Sequence, residues 1–211
     1  MARPREFDVD TALERAMDLL WSKGYEATSL DDLCEATDLS RSSLYATFGS
    51  KRKLLLRSVE RYVERRTPNI AAILARPIPV RDAFAALLQD FIDQIVAGPG
   101  RRGCFLGNCA AELPRSDRAA MAQVRTGLEC TQGIFHDALA RAKTRGELPS
   151  GADVAALARF ITSAIQGLRL VGKVNPDRAA LNDIAKTILQ CFGEQPLPRA
   201  AVKSLKQGHR T

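Results

Sequence analysis

Histidine is nearly absent from this chain: His136 and His209 are the only two in 211 residues. The five cysteines, Cys34, Cys104, Cys109, Cys130 and Cys191, form no Cys-x-x-Cys pair and are odd in number. A Cys/His zinc site is therefore poorly supported, and no metal or cofactor is expected. The same scarcity weighs against nucleophilic catalysis, which needs a base within reach of its nucleophile. No Gly-rich phosphate loop or paired-carboxylate signature occurs either, so no residue is assigned a catalytic role. No apolar run approaches the ~18 residues of a bilayer span. The N-terminal Met-Ala-Arg-Pro-Arg-Glu leads into charged sequence rather than an apolar leader. The expectation is a cytoplasmic protein with no membrane partner, its cysteines mostly free thiols.

What the chain does have is ordinary globular content and a positive surplus. Hydrophobic residues make up 45% and charged residues 26%, so a folded state is expected. The net charge is +7 and the pI about 9.4. That balance favours a polyanionic partner. It is also unevenly distributed. Residues 1–40 hold Arg3, Arg5, Arg15 and Lys23 against ten acids, whereas residues 41–66 hold eight basic residues against Glu60 and Glu64.

Apolar spacing predicts an all-α fold of about nine helices. Val9, Leu13, Ala16, Met17 and Leu20 mark the inner face of the first, which Gly24 ends. Ser29 caps a short second helix, with Asp32 three residues on in an acidic capping box. Ser40 caps a third that buries Leu44 and Phe48. Ser50 caps a fourth, from about 51 to 67, limited by Pro68. Longer helices follow over about 80–96, 116–143, 152–171 and 177–192, with Gly98-Pro99-Gly100, Pro114, Gly146 and Pro149 between them. The organisation is a head over 1–50, a body over 51–195 in which 51–67 connects the two, and a basic tail over 196–211 with Arg199, Lys203, Lys206 and Arg210, read as disordered.

Within the head, residues 29–45 have the layout of a helix-turn-helix. Leu33 and Leu44 pack the two helices together, and Leu39 plugs the turn. The second helix projects Arg41, Ser42, Ser43 and Ala46 from its N-terminal end, as a major-groove reader does. Arginine pairs bidentately with guanine, and serine bonds to several base edges or to phosphate. The free amides at the start of the fourth helix, with Lys51 beside them, form a phosphate clamp.

The stretch from Leu39 to Leu55, centred on Leu44-Tyr45-Ala46-Thr47-Phe48-Gly49-Ser50-Lys51, closely resembles the signature of the TetR family of transcriptional regulators. Gly24-Tyr25-Glu26-Ala27-Thr28-Ser29-Leu30 fits it too, and the resemblance spans about residues 8–60. It implies that Ser29 touches phosphate, that Arg41, Ser42 and Ser43 sit in the groove, that Tyr45 bonds a phosphate and that Lys51 anchors the backbone. Asp38 stands where the family often has Gly, and Ala46 and Thr47 replace its frequent His and Tyr. The resemblance further implies a homodimer joined through the last two long helices, a palindromic operator in double-stranded DNA, a small-molecule effector in the body, and repression as the default.

Gly103-Cys104-Phe105-Leu106 resembles a subgroup of TetR-like regulators, some of which sense electrophiles or oxidants through a cysteine here. A helix N-terminus with Arg101 and Arg102 nearby would favour the thiolate of Cys104. The alternative is that Cys104 and Cys109 are small core fillers. Candidate effector contacts are Phe84, Leu88, Cys104, Phe105, Met121, Phe135 and Phe160, residues that equally serve as core. His136 reads as partly buried or interfacial. The competing functions are a thiol-dependent enzyme or sensor centred on Cys104, and a helical interaction module without DNA binding.

Overall fold

The computed structural model describes residues 7–193, so the basic tail expected over 196–211 lies outside the described residues. Those residues form nine α-helices and two 3-10 turns, with no strand. Polar caps start most of the helices. Asp8 caps α1 (Val9–Lys23) by accepting from the Asp10 N–H, and Gly24 ends it at φ +90°. Ser29 caps α2 (Leu30–Thr37) in the expected box: its hydroxyl takes the Asp32 N–H while the Asp32 carboxylate takes the Ser29 N–H. Asp38 then turns the chain at φ 58°, ψ 33°, the left-handed conformation that Asp tolerates better than most residues. Ser40 and Ser50 cap α3 (Arg41–Phe48) and α4 (Lys51–Leu74) through the N–H groups of Ser43 and Lys53.

One boundary corrects the sequence reading. Pro68 does not stop α4; the helix runs on to Leu74 with Pro68 inside it. Proline removes one ladder bond and costs about 3 kcal/mol or more in a helix interior. The last turns tolerate it because Ile70, Ile73 and Leu74 are buried. The remaining helices are α5 (Val80–Ala97), α6 (Phe105–Glu112), α7 (Arg118–Thr144), α8 (Val154–Val174) and α9 (Arg178–Leu189). The 3-10 turns are Pro99–Arg102 and Gln190–Phe192.

The buried side chains fall into two cores. One joins α1–α3 to the first turns of α4, to α6 and to the start of α7, through Leu20, Trp21, Leu33, Leu44, Leu54, Tyr62, Phe105 and Val124 among others. The other joins the end of α4 to α5, the end of α7, α8 and α9, around Phe84, Leu88, Phe135, Ile161 and Leu181. Helix α4 belongs to both. Helix α7 packs alongside it because Gly127 carries no Cβ, which would sit 2.9 Å from Val63 Cγ2 and 3.0 Å from Leu106 Cδ1.

Candidate nucleic-acid interface

The expected DNA-facing residues stand at three consecutive helix N-termini, those of α2, α3 and α4, apart from Tyr45, which lies one turn into α3. Ser29, Arg41, Ser42 and Tyr45 are exposed; Ser43 and Lys51 are half-buried. Leu33, Leu44 and Phe48 beneath them are buried, and Leu39 fills the turn. The Ser40 hydroxyl lies 2.9 Å from both the Ser42 and Ser43 hydroxyls, so a short chain of hydroxyls runs along the first turn of α3.

Arg41 is held rather than free. Its Nε and Nη2 donate to the Asp31 carboxylate at 2.7–3.0 Å, and Asp31 raises the guanidinium pKa. The side chains are 63% and 74% exposed, so the pair is weak and a base or phosphate competes with it readily. Lys51 lies over the Tyr25 ring, 4.4 Å from its centroid. Arg57 lies over Phe48 at 5.0 Å and donates to the Thr47 carbonyl.

The basic run from 41 to 66 is less of a phosphate footprint than its charge count implies. Arg61 and Arg65 both pair with Glu14 of α1, at 2.6 and 2.9 Å. Arg52 takes Asp117, the cap of α7, at 2.5 Å. Arg66 is largely buried, which lowers its pKa, and donates to Gln94. Arg61 and Arg65 strap the head to α4, while Arg52 and Arg66 tie α4 to α7 and α5 within the body. Two more links complete the strapping: the Tyr25 N–H donates to Glu112 Oε2 at 2.7 Å, and Arg102 holds Asp18 at 2.9 Å while stacking 3.9 Å from the Trp21 ring centroid.

Behind the straps sits Cys104, buried and acting as the N-cap residue of α6. Arg101 and Arg102 turn away from it, towards the carbonyls of Ile95 and Val96 and towards Asp18, so the expected influence of those two arginines is not what this arrangement provides. The nearby guanidinium is Arg169 of α8. It donates to Tyr62 Oη at 3.0 Å and to the Gly103 carbonyl at 2.7 Å, and Tyr62 Oη lies 3.8 Å from Cys104 Sγ. Among the described residues no carboxylate pairs with Arg169. Burial raises the Tyr62 pKa, so the phenol stays protonated at neutral pH.

A cavity of about 270 Å³ lies between α6 and α8, lined by Gly103, Cys104, Gly107, Asn108, Glu112 and Lys173 among others. Of the candidate effector contacts, Cys104 lines it. Phe160, half exposed, lines a second recess of about 420 Å³ with Leu157 and Cys191. Phe84, Leu88, Phe105 and Phe135 are buried in the cores, and Met121 packs half-buried against the first of them, the one that includes α1–α3 and is the DNA-side core. His136 is exposed on α7 beside Asp137. The sequence reading missed Arg169, Tyr62 and Glu112. Arg169 was findable, because it stands four residues after Ile165 on the buried face of α8.

Two family models match the chain. Residues 12–57 match the bacterial regulatory proteins of the tetR family, and residues 80–188 match the tetracyclin repressor-like C-terminal domain. The chain belongs to the TetR family. It is 33% identical over 195 residues to the transcriptional repressor ComR of Escherichia coli (strain K12), covering 91% of this chain and 92% of ComR. It is 32% identical over 185 residues to the transcriptional regulator YezE of Bacillus subtilis (strain 168), covering 87% and 95%. A solved structure of a cysteine mutant of the TetR family regulator CifR, complexed with a 26-bp operator duplex, superposes with a TM-score of 0.81 at 29% identity, covering 92% of this chain and all of that one. As a TetR family member the protein is a DNA-binding transcriptional regulator and not an enzyme.

Proposed function

We infer that this regulator is a ligand-responsive repressor that binds a palindromic operator in double-stranded DNA as a homodimer. The observation that carries the reading is the polar edge made by three successive helix N-termini, with Ser29, Arg41, Ser42, Ser43, Tyr45 and Lys51 along it. Arg41, Ser42 and Ser43 meet base edges, with Arg41 exchanging Asp31 for guanine. Ser29 and Tyr45 bond phosphates, and Lys51 anchors the backbone. Repression follows the sense of ComR, and a cytoplasmic location goes with it.

Dimerisation runs through α8 and α9. Phe160, Leu170, Val171 and Val174 are exposed along α8, Val174 at 83%, and a Cβ at Gly167 would meet nothing. Although α8 is apolar on average, with mean hydropathy 1.4 over its most apolar stretch, only 28% of that stretch is buried within the chain. A four-helix interface with the partner copy covers such a face. The signal enters at the Cys104 cavity, as a small molecule or an electrophile that favours the DNA-incompatible state.

Selection of duplexes from a random-sequence library by the purified protein tests this. A palindromic site and steep salt dependence are expected. Arg41→Ala should relax preference at one base position, whereas Lys51→Gln should weaken binding evenly. Leu170→Glu with Val174→Glu should yield monomers in sedimentation. Alkylation of the native protein should release the selected duplex, and Cys104→Ser should abolish that response. A selection that returns no preferred sequence would sink the reading.

A further inference from the structure

The head approaches DNA with the wrong sign of charge. Residues 7–50 hold Arg15, Lys23 and Arg41 against nine acids. Lys23 and Arg41 pair with Asp32 and Asp31. Positive charge for the phosphates must therefore come from beyond the helix-turn-helix, and α4 supplies part of it through Lys51, Lys53 and Arg57.

A second source lies in the segment between α6 and α7. Buried Leu113 anchors this segment, and the Asp117 N–H donates to the Pro114 carbonyl at 2.9 Å to close it into a tight turn. Both of its ends are tied to residues beside Lys51. At one end Glu112 accepts from the Tyr25 N–H, and Lys51 stacks on that same Tyr25. At the other, Asp117 receives Arg52 Nε and Nη2 at 2.6 and 2.5 Å. Both acids of the segment are thus engaged. Arg115 and Arg118 stand between and beside these two links, exposed, and among the described residues neither pairs with a carboxylate.

We propose that Arg115 and Arg118 grip DNA phosphates outboard of those held by Lys51, so that the DNA-binding surface extends from the head onto the body. The proposal rests on the DNA-binding reading above and adds a phosphate grip that no helix-turn-helix residue provides. It also gives α6 a direct hand in DNA affinity, because the turn that carries Arg115 and leads into Arg118, the first residue of α7, starts at the end of α6.

The test compares the full-length wild type with an Arg115→Gln/Arg118→Gln variant on the duplex recovered by selection, at 50–200 mM salt. Removing one phosphate-neutralising charge lowers the slope of log affinity against log salt by about 0.9. The slope of the double variant should therefore fall by about 1.8 per bound protomer, with sequence preference and helical content unchanged. Arg115→Lys/Arg118→Lys should restore the slope, because gripping a phosphate needs only a point charge. An unchanged slope in the Gln variant, while Lys51→Gln lowers it, would overturn the proposal and leave the regulator reading standing. A wild type with no sequence preference would overturn both.

Discussion

The far core packs Phe84 edge-on against Phe135 at 5.6 Å and closes with Phe192 at 5.2 Å; the DNA-side core packs Trp21, Tyr62 and Phe105 around a thiol and a guanidinium. The first arrangement is held by apolar burial, which is non-directional and indifferent to pH. The second is held by burial plus hydrogen bonds and ion pairs with fixed partners. Buried polar networks have discrete arrangements, so a chemical change at one member is felt by the rest. The far core is thus an anchor. The DNA-side core is the part of the molecule that holds Cys104, and so the part that the proposed signal would reach first.

The largest expected effect tests the anchor. Phe135→Ala should destabilise the protein by about 3–5 kcal/mol in urea unfolding, with sequence preference of the folded protein unchanged. A shift in preference would break the comparison. Tyr62→Phe should come next, at about 1–3 kcal/mol, because it removes a partner from the buried Arg169 guanidinium. It should also change the alkylation rate of Cys104, which Phe135→Ala should not. Asp38→Gly should stabilise by about 0.5 kcal/mol, read as a raised thermal midpoint, because glycine adopts the left-handed turn without a Cβ clash. Native-state alkylation at pH 8 should mark exposed Cys130 first and Cys109 last, since burial pushes the Cys109 thiol up to about 12. The smallest effect is the Arg52–Asp117 strap. Its hydrogen bond from Arg52 holds the Asp117 carboxyl down at about 2, below its ordinary 3.8. The folded value is the lower one, so the strap contributes above pH 3.8 and fades as pH falls towards 2. Amide exchange at Ala120, whose N–H donates to Asp117 Oδ1 at 3.0 Å, reads it across that window.

Local features of the fold were legible in the sequence. Ser29, Ser40 and Ser50 sit at caps because short hydroxyl side chains reach free amides two or three residues on, and such rules act within one turn. The tolerance of Asp38 for its turn has the same local origin. What escaped was long-range. Arg61 and Arg65 meet Glu14 across about 50 positions, and Arg52 meets Asp117 across 65. No spacing rule links such residues, so a charge count does not tell strapping arginines from free ones. Pro68 misled for the related reason that tertiary burial of Ile70 and Ile73 outweighs a local breaker. The approach of Tyr62 and Arg169 to Cys104 belongs to the same class, being a meeting of α4, α6 and α8 that only the packing decides.

Pro68 also has a mechanical consequence. It lacks the N–H that would bond the Glu64 carbonyl, so α4 has one weakened joint between the turns in the DNA-side core and those in the far core. At 1.5 Å per residue, Lys51 stands about 26 Å down the helix from that joint. A bend of about 5° there swings Lys51 by about 2 Å, more than half the ~3.4 Å step between base pairs. Play at that one imino acid is therefore comparable in size to the spacing at which a head must hold its register along a duplex.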